Sequence, residues 1–143
     1  MQTFLPYPDF EESARVLDYK RLGKQRVETL QILKALILPD YGWKNHPAVK
    51  MWQGYEMNLA AYGMAVCREW VKRGYKDTCY DKIVETVFKS DILLGYSAFL
   101  DWVTPELCRS HQSNLKRKDS AFYGPIFPDV PDDLPYVWPT QQP

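Results

Sequence analysis

Between Asp18 and Pro39 the apolar residues Leu22, Leu30, Leu33 and Ile37 fall mostly on one face of a helix. Nowhere does the chain alternate apolar and polar residues as a half-buried strand requires. The pattern predicts a helix from Asp18 to about Ile37, ended by Pro39, and it commits the chain to an all-α fold. Gly23 stands inside that helix, where glycine costs up to about 1 kcal/mol relative to alanine. It therefore marks a break or a close approach.

The remaining helices follow from caps and prolines. An amino-terminal piece, Met1–Pro8, precedes Asp9, the expected N-cap of a first turn or two. Asn45 reads as the N-cap, and Pro47 as the first turn, of the longest helix, which runs to Gly74 and buries Val49, Trp52, Leu59, Val66 and Val71. A third helix is predicted from Thr78 to Phe88, with Ile83, Val84, Val87 and Phe88 apolar. Thr104-Pro105-Glu106 opens a fourth that carries a basic run to Lys118. From Gly124 onward, prolines at 125, 128, 131, 135, 139 and 143 forbid helix and sheet ladder alike. That tail is expected to wrap the body in extended form, anchored by Ile126, Phe127, Tyr136 and Trp138. The expected organisation is one compact helical domain over 1–125 with a Pro-rich tail over 126–143.

A chain of 143 residues that is 45% hydrophobic can bury one core. Eighteen basic residues balance eighteen acidic ones, which argues against a nucleic-acid binder until their placement is considered. Cations gather at Lys20–Arg26, Arg68–Lys76 and Arg109–Lys118, and acids at Asp9–Glu12, Asp77–Asp91 and Asp129–Asp133. The folded chain is therefore expected to show one basic and one acidic face. Cys67, Cys79 and Cys108 are odd in number and lack CxxC spacing, which fits a reduced, cytoplasmic setting without disulfides or structural zinc. No apolar run approaches the ~20 residues that span a bilayer, so no membrane association is expected.

Gly-rich phosphate loops, GxSxG and HExxH are all missing, and two histidines cannot build a multi-histidine metal site. Chemistry instead points to two segments. In the first, Lys20, Arg21, Lys24 and Arg26 surround one carboxylate, Glu28. Lys20 and Lys24 repel at i,i+4 spacing, so either they form a solvated face or a polyanion lies across them. Glu28 taken alone reads first as an i,i+4 partner for Lys24. In the second segment, Ser110-His-Gln-Ser-Asn-Leu-Lys-Arg-Lys118 precedes Phe122-Tyr123. Polar donors and three consecutive cations beside an aromatic pair suit phosphate contacts next to a stacking platform, or else a surface helix whose aromatics enter the core.

In this order the segments resemble the pyrimidine-dimer DNA glycosylase family of the phage endonuclease V type, of which this chain looks like a divergent member. Three blocks carry the resemblance: Val27-Glu28; Asn45-His46-Pro47-Ala-Val49 with Cys67-Arg-Glu-Trp-Val-Lys-Arg-Gly74; and His111 to Lys118 with Phe122-Tyr123. It covers roughly residues 1–125. Val27 stands where related proteins have arginine, and Asn114 where a second one is expected.

The resemblance implies a glycosylase and abasic-site lyase that acts on damaged or modified pyrimidines in double-stranded DNA as a monomer. In such enzymes the chain's own α-amine attacks C1′, releases the base and forms an imine, and β-elimination then breaks the strand. No metal or cofactor is implied. The ordinary pKa of an α-amine, about 7.7–8.0 against about 10.4 for lysine, makes it a ready nucleophile. Bulky Gln2 disfavours removal of Met1, so the Met1 amine is the expected nucleophile, with Glu28 as acid/base and imine stabiliser. Lys20, Arg21, Lys24, Arg26, His46, His111, Asn114, Lys116, Arg117, Lys118 and Tyr123 are the expected DNA contacts. His46 reads alternatively as a capping-region histidine bonded to backbone. A non-catalytic nucleic-acid-binding module with the same fold is the competing expectation.

Overall fold

The computed structural model describes residues 1–139; the expectation for Pro143, like the end of the tail, lies outside the described residues. Seven helices and no strand make up this part of the chain, an all-α fold: α1 (Phe10–Val16), α2 (Tyr19–Ile37), α3 (Pro47–Met51), α4 (Glu56–Lys72), α5 (Cys79–Phe88), α6 (Pro105–Lys118) and α7 (Ser120–Tyr123). No helix among the described residues is long and apolar enough to cross a membrane.

Helix α2 is central and packs on α3, α4 and α5, while α1 packs on α4. Its stripe of Leu22, Leu30, Leu33 and Ile37 is buried as expected. Gly23 marks a close approach, because a β-carbon there would stand 2.9 Å from the Trp70 indole of α4. Asp9 caps α1 by accepting from the Glu12 N–H at 2.8 Å. Thr104 likewise caps α6 through the Leu107 N–H at 3.1 Å.

The helix expected from Asn45 to Gly74 is two helices. Trp52–Tyr55 interrupts it, with Gly54 at φ +86°, a conformation glycine adopts without a β-carbon clash. The Glu56 carboxylate fixes the break by accepting from the N–H groups of Gly54 and Gly95, at 2.8 and 2.7 Å. The N-cap is His46, not Asn45: His46 Nδ1 accepts from the Ala48 N–H at 3.0 Å. Val71, expected inside, is exposed in the last turn of α4, where it lines an open surface groove with Tyr80 and Asp81.

The Met1–Pro8 segment has no sheet partner, yet Gln2 to Pro6 are buried. Buried backbone groups need partners, and here side chains supply them. The Phe4 N–H donates to Gln25 Oε1 (3.0 Å) and the Leu5 N–H to His111 Nδ1 (2.8 Å). Tyr62 Oη donates to the Phe4 carbonyl (2.7 Å), and Trp52 Nε1 to Thr3 Oγ1 (2.9 Å). The segment runs antiparallel to α2, from Phe4 opposite Gln25 to Gln2 opposite Glu28.

Beyond α7 the described tail is extended and irregular. Phe127 anchors it in the core, and Tyr136 and Trp138 are half-buried against the body; Ile126, expected as an anchor, is exposed. Helix α6 holds the tail from its side. Ser113 Oγ accepts from the Leu134 N–H and Ser110 Oγ from the Val137 N–H, both at 3.0 Å.

Candidate active site

Met1, Gln2, Phe4, Lys20, Arg21, Lys24, Gln25, Glu28, Lys118 and Tyr136 line one cleft of about 380 Å³. Residues far apart in sequence thus meet: the amino terminus, the first half of α2, the last residue of α6 and the tail. Four cations and one carboxylate line it, so the cleft favours a polyanion.

Glu28 is the hinge of this arrangement. Its Oε2 accepts the Gln2 N–H at 3.0 Å, and its Oε1 stands 3.6 Å from Lys24 Nζ. The pairing with Lys24 is therefore present, and so is the contact with the chain's first peptide group. The nitrogen that touches Glu28 belongs to Gln2; the Met1 α-amine stands one residue further out on the cleft wall. Gln25 secures the geometry from below: its Nε2 donates to the Gln2 carbonyl at 2.7 Å and its Oε1 accepts the Phe4 N–H, with the Tyr62 hydroxyl, whose one proton is shared with the Phe4 carbonyl, 2.8 Å away. Sequence reasoning missed Gln25. Its one signal was a polar residue three positions after Leu22 on the apolar stripe.

His46, at the N-cap of α3, does not line the cleft but feels the charges of the amino terminus and Glu28. Burial lowers its pKa first, the charge of the amino terminus lowers it further, and Glu28 opposes both. Its Nδ1 is occupied by the Ala48 N–H, so the neutral ring carries its proton on Nε2. The backbone-capping role and a place near the amine coexist.

Lys20, Arg21, Lys24 and Lys118 line the cleft, with Arg21 also paired to Asp18 at 3.2 Å. Six other expected contacts are placed elsewhere. Arg26 lies over the Trp70 ring, 4.4 Å from its centroid, and pairs with Asp77. His111 is fully buried; burial lowers its pKa to about 3, and its neutral Nδ1 accepts from Leu5. Asn114 is buried and donates to the carbonyls of Ser110 and Leu134. Lys116 donates to the carbonyls of Phe127 (3.0 Å) and Val130 (2.8 Å), and Arg117 to that of Asp132 (3.1 Å).

Tyr123 is the sharpest correction, being fully buried rather than DNA-facing. Its hydroxyl donates to Asp18 Oδ1 and accepts from the Asp18 N–H. The α6 run is polar because the tail needs donors along it, a use that no spacing rule distinguishes from phosphate contact. Tyr136, expected as an anchor of the tail, also reaches the cleft wall, with its ring edge-on to His111 at 5.6 Å. Among the described residues, no three of His, Cys, Asp and Glu gather to hold a metal ion, and the three cysteines are free and buried.

Fold and site together define an all-helical protein whose amino terminus and one helix carboxylate share a basic cleft. The chain belongs to the pyrimidine dimer DNA glycosylase family, whose family model matches residues 1–83. That span holds Met1, the α2 cations, Glu28 and His46, and it ends within α5; α6, α7 and the tail lie beyond it. No curated protein and no solved structure matches the chain.

Proposed function

We propose that this protein is a DNA glycosylase and abasic-site lyase that acts on damaged or modified pyrimidines in double-stranded DNA through its own amino-terminal amine. The observation that carries the reading is the convergence of Met1, Glu28 and four cations on one cleft. Lys20, Lys24 and Lys118 grip backbone phosphates, Arg21 adds a planar donor fork, and the duplex is thereby laid across the amine.

The neutral Met1 amine attacks C1′ of the damaged nucleotide, and the base departs with the glycosidic electron pair and takes up a proton. Ring opening leaves an iminium linking the amine nitrogen to C1′. Glu28 stabilises that cation and moves protons at the sugar, including the C2′ proton whose removal expels the 3′ phosphate. Water then hydrolyses the imine and frees the amine. The Gln2 N–H bond holds the carboxylate toward the terminus before substrate arrives. A base in duplex DNA must leave the stack for this attack, and a basic cleft beside the terminus suits a duplex so distorted.

Borohydride reduction in the presence of abasic-site duplex tests the reading. The expected product is a covalent protein–DNA adduct whose linkage maps to the first residue by peptide mass. An amino-terminal extension is expected to abolish the adduct and leave salt-sensitive DNA binding in place. No adduct from a chain with a verified free terminus would overturn the enzyme reading in favour of a non-catalytic DNA-binding module.

A further inference from the structure

Trp43 has φ of +72°, and among the described residues no other non-glycine residue has a positive φ. A residue with a β-carbon is strained there, so the surrounding chain must hold it in place. The indole is not buried in return, being 61% exposed. Attachments on its carboxyl-terminal side fix the loop. The Trp43 carbonyl accepts from the His46 N–H at 3.0 Å. Lys44 Nζ donates to the carbonyls of Ala35 and Leu38, at 2.7 and 2.6 Å, where α2 ends. A loop held this firmly in a strained form, with its largest side chain in solvent, is built to present that ring.

The course of the chain places the ring near the cleft. The amino-terminal segment runs antiparallel to α2, so Met1 points toward the carboxyl-terminal half of that helix. The 39–46 loop leaves from the same end. The His46 ring lies 6.2 Å from the Trp43 ring, centroid to centroid, and is close enough to the amino terminus and Glu28 for both charges to act on it.

We propose that Trp43 is the stacking platform for a base that leaves the duplex stack beside the attacked nucleotide, an inference that rests on the DNA-processing reading above. Lys24 and Lys20 lie about one and two helical turns before Glu28 on α2, and the Trp43 loop departs beyond it. Phosphate contacts on one side of the amine and a flat π-face on the other match what an opened duplex presents. An exposed indole also suits a protein partner, but the neighbouring amine and lysines favour nucleic acid.

The test compares W43A and W43F with the wild type on duplexes with and without a tetrahydrofuran abasic analogue, at one salt concentration. W43A is expected to lose preference for the abasic analogue on the order of 10-fold, the effect of one lost base–aromatic stack, while intact-duplex affinity stays within about two-fold. W43F is expected to keep most of the preference. W43G removes the ring and relieves the left-handed backbone, so it is expected to melt no lower than the wild type and to show the same loss. Unchanged preference in W43A and W43G, with a wild type that forms the borohydride adduct, overturns this inference alone. A wild type with neither adduct nor preference overturns the proposed function and this inference with it.

Discussion

The backbone N–H of Gln2 donates to the Glu28 carboxylate at 3.0 Å, across 26 residues of sequence. One bond thus couples the start of the chain to the middle of α2, and Gln25 repeats the coupling one turn earlier through the Gln2 carbonyl. The two contacts fix the peptide groups on both sides of Gln2, next to the first residue. A flexible terminus would have to be ordered at every encounter with substrate, whereas here that ordering is done by folding. Lys24, mostly in solvent, neutralises Glu28 only from outside.

E28Q separates the structural from the chemical role of this side chain. The amide oxygen still accepts the Gln2 N–H, so the melting temperature is expected to change little. The variant can no longer stabilise a cation or shuttle a proton. Borohydride trapping on abasic DNA is expected to slow by roughly 10²–10⁴-fold, the usual range for losing an acid/base group. Trapping at the wild-type rate would remove Glu28 from the mechanism.

The lysines of the cleft and those of the tail interface predict opposite behaviour in salt. K20A, K24A and K118A are each expected to reduce the slope of log affinity against log salt by about one, as a lost phosphate contact does. K116A is expected to leave that slope unchanged and lower the melting temperature instead, because Lys116 Nζ caps the carbonyls of Phe127 and Val130. Fluorescence anisotropy over a salt series reads the first effect and a thermal melt the second.

What could be read from sequence divides along a physical line. Helix periodicity and caps are local, so α1, α2, α5 and α6 were legible to within a residue or two, and the matching of Lys20, Lys24 and Glu28 to one segment came with them. The break at Trp52–Tyr55 depends on Glu56 meeting Gly95, a contact 39 residues away, and no local rule contains it. The polar face of α6 misled for the same reason: donors that hold a tail look like donors that hold a phosphate. Tyr123 and His111 went inside because each found a backbone or carboxylate partner there, Asp18 and Leu5, which composition cannot reveal.

Y123F tests the buried assignment directly. The Asp18 carboxylate loses the phenol donor and the Asp18 N–H loses its acceptor, while the ring packing survives. Leaving buried polar groups unpaired costs about 1–3 kcal/mol, so a lower melting temperature is expected. DNA affinity is expected to stay within about two-fold, since the ring never reaches the cleft. A selective loss of DNA binding with unchanged stability would instead return Tyr123 to the interface.

Acid should destabilise this fold, and between pH 7 and 5 His111 contributes to the loss. In the fold, burial holds its pKa at about 3, against an ordinary value of 6.5. The neutral ring is thus favoured in the folded state, so its contribution is complete above pH 6.5 and declines as pH falls toward 3. Between those limits the unfolded chain binds a proton that the folded chain refuses, at about 1.4 kcal/mol per pH unit. Denaturant titrations are therefore expected to show roughly 2 kcal/mol less stability at pH 5 than at pH 7 from this group. His46 acts in the same direction, because its pKa is also lowered and its unprotonated Nδ1 caps α3. H111N keeps an acceptor for the Leu5 N–H and cannot titrate. It is expected to be less stable at pH 7 but to lose about one proton's worth of the pH slope. A wild-type slope in H111N would show that acid sensitivity arises elsewhere.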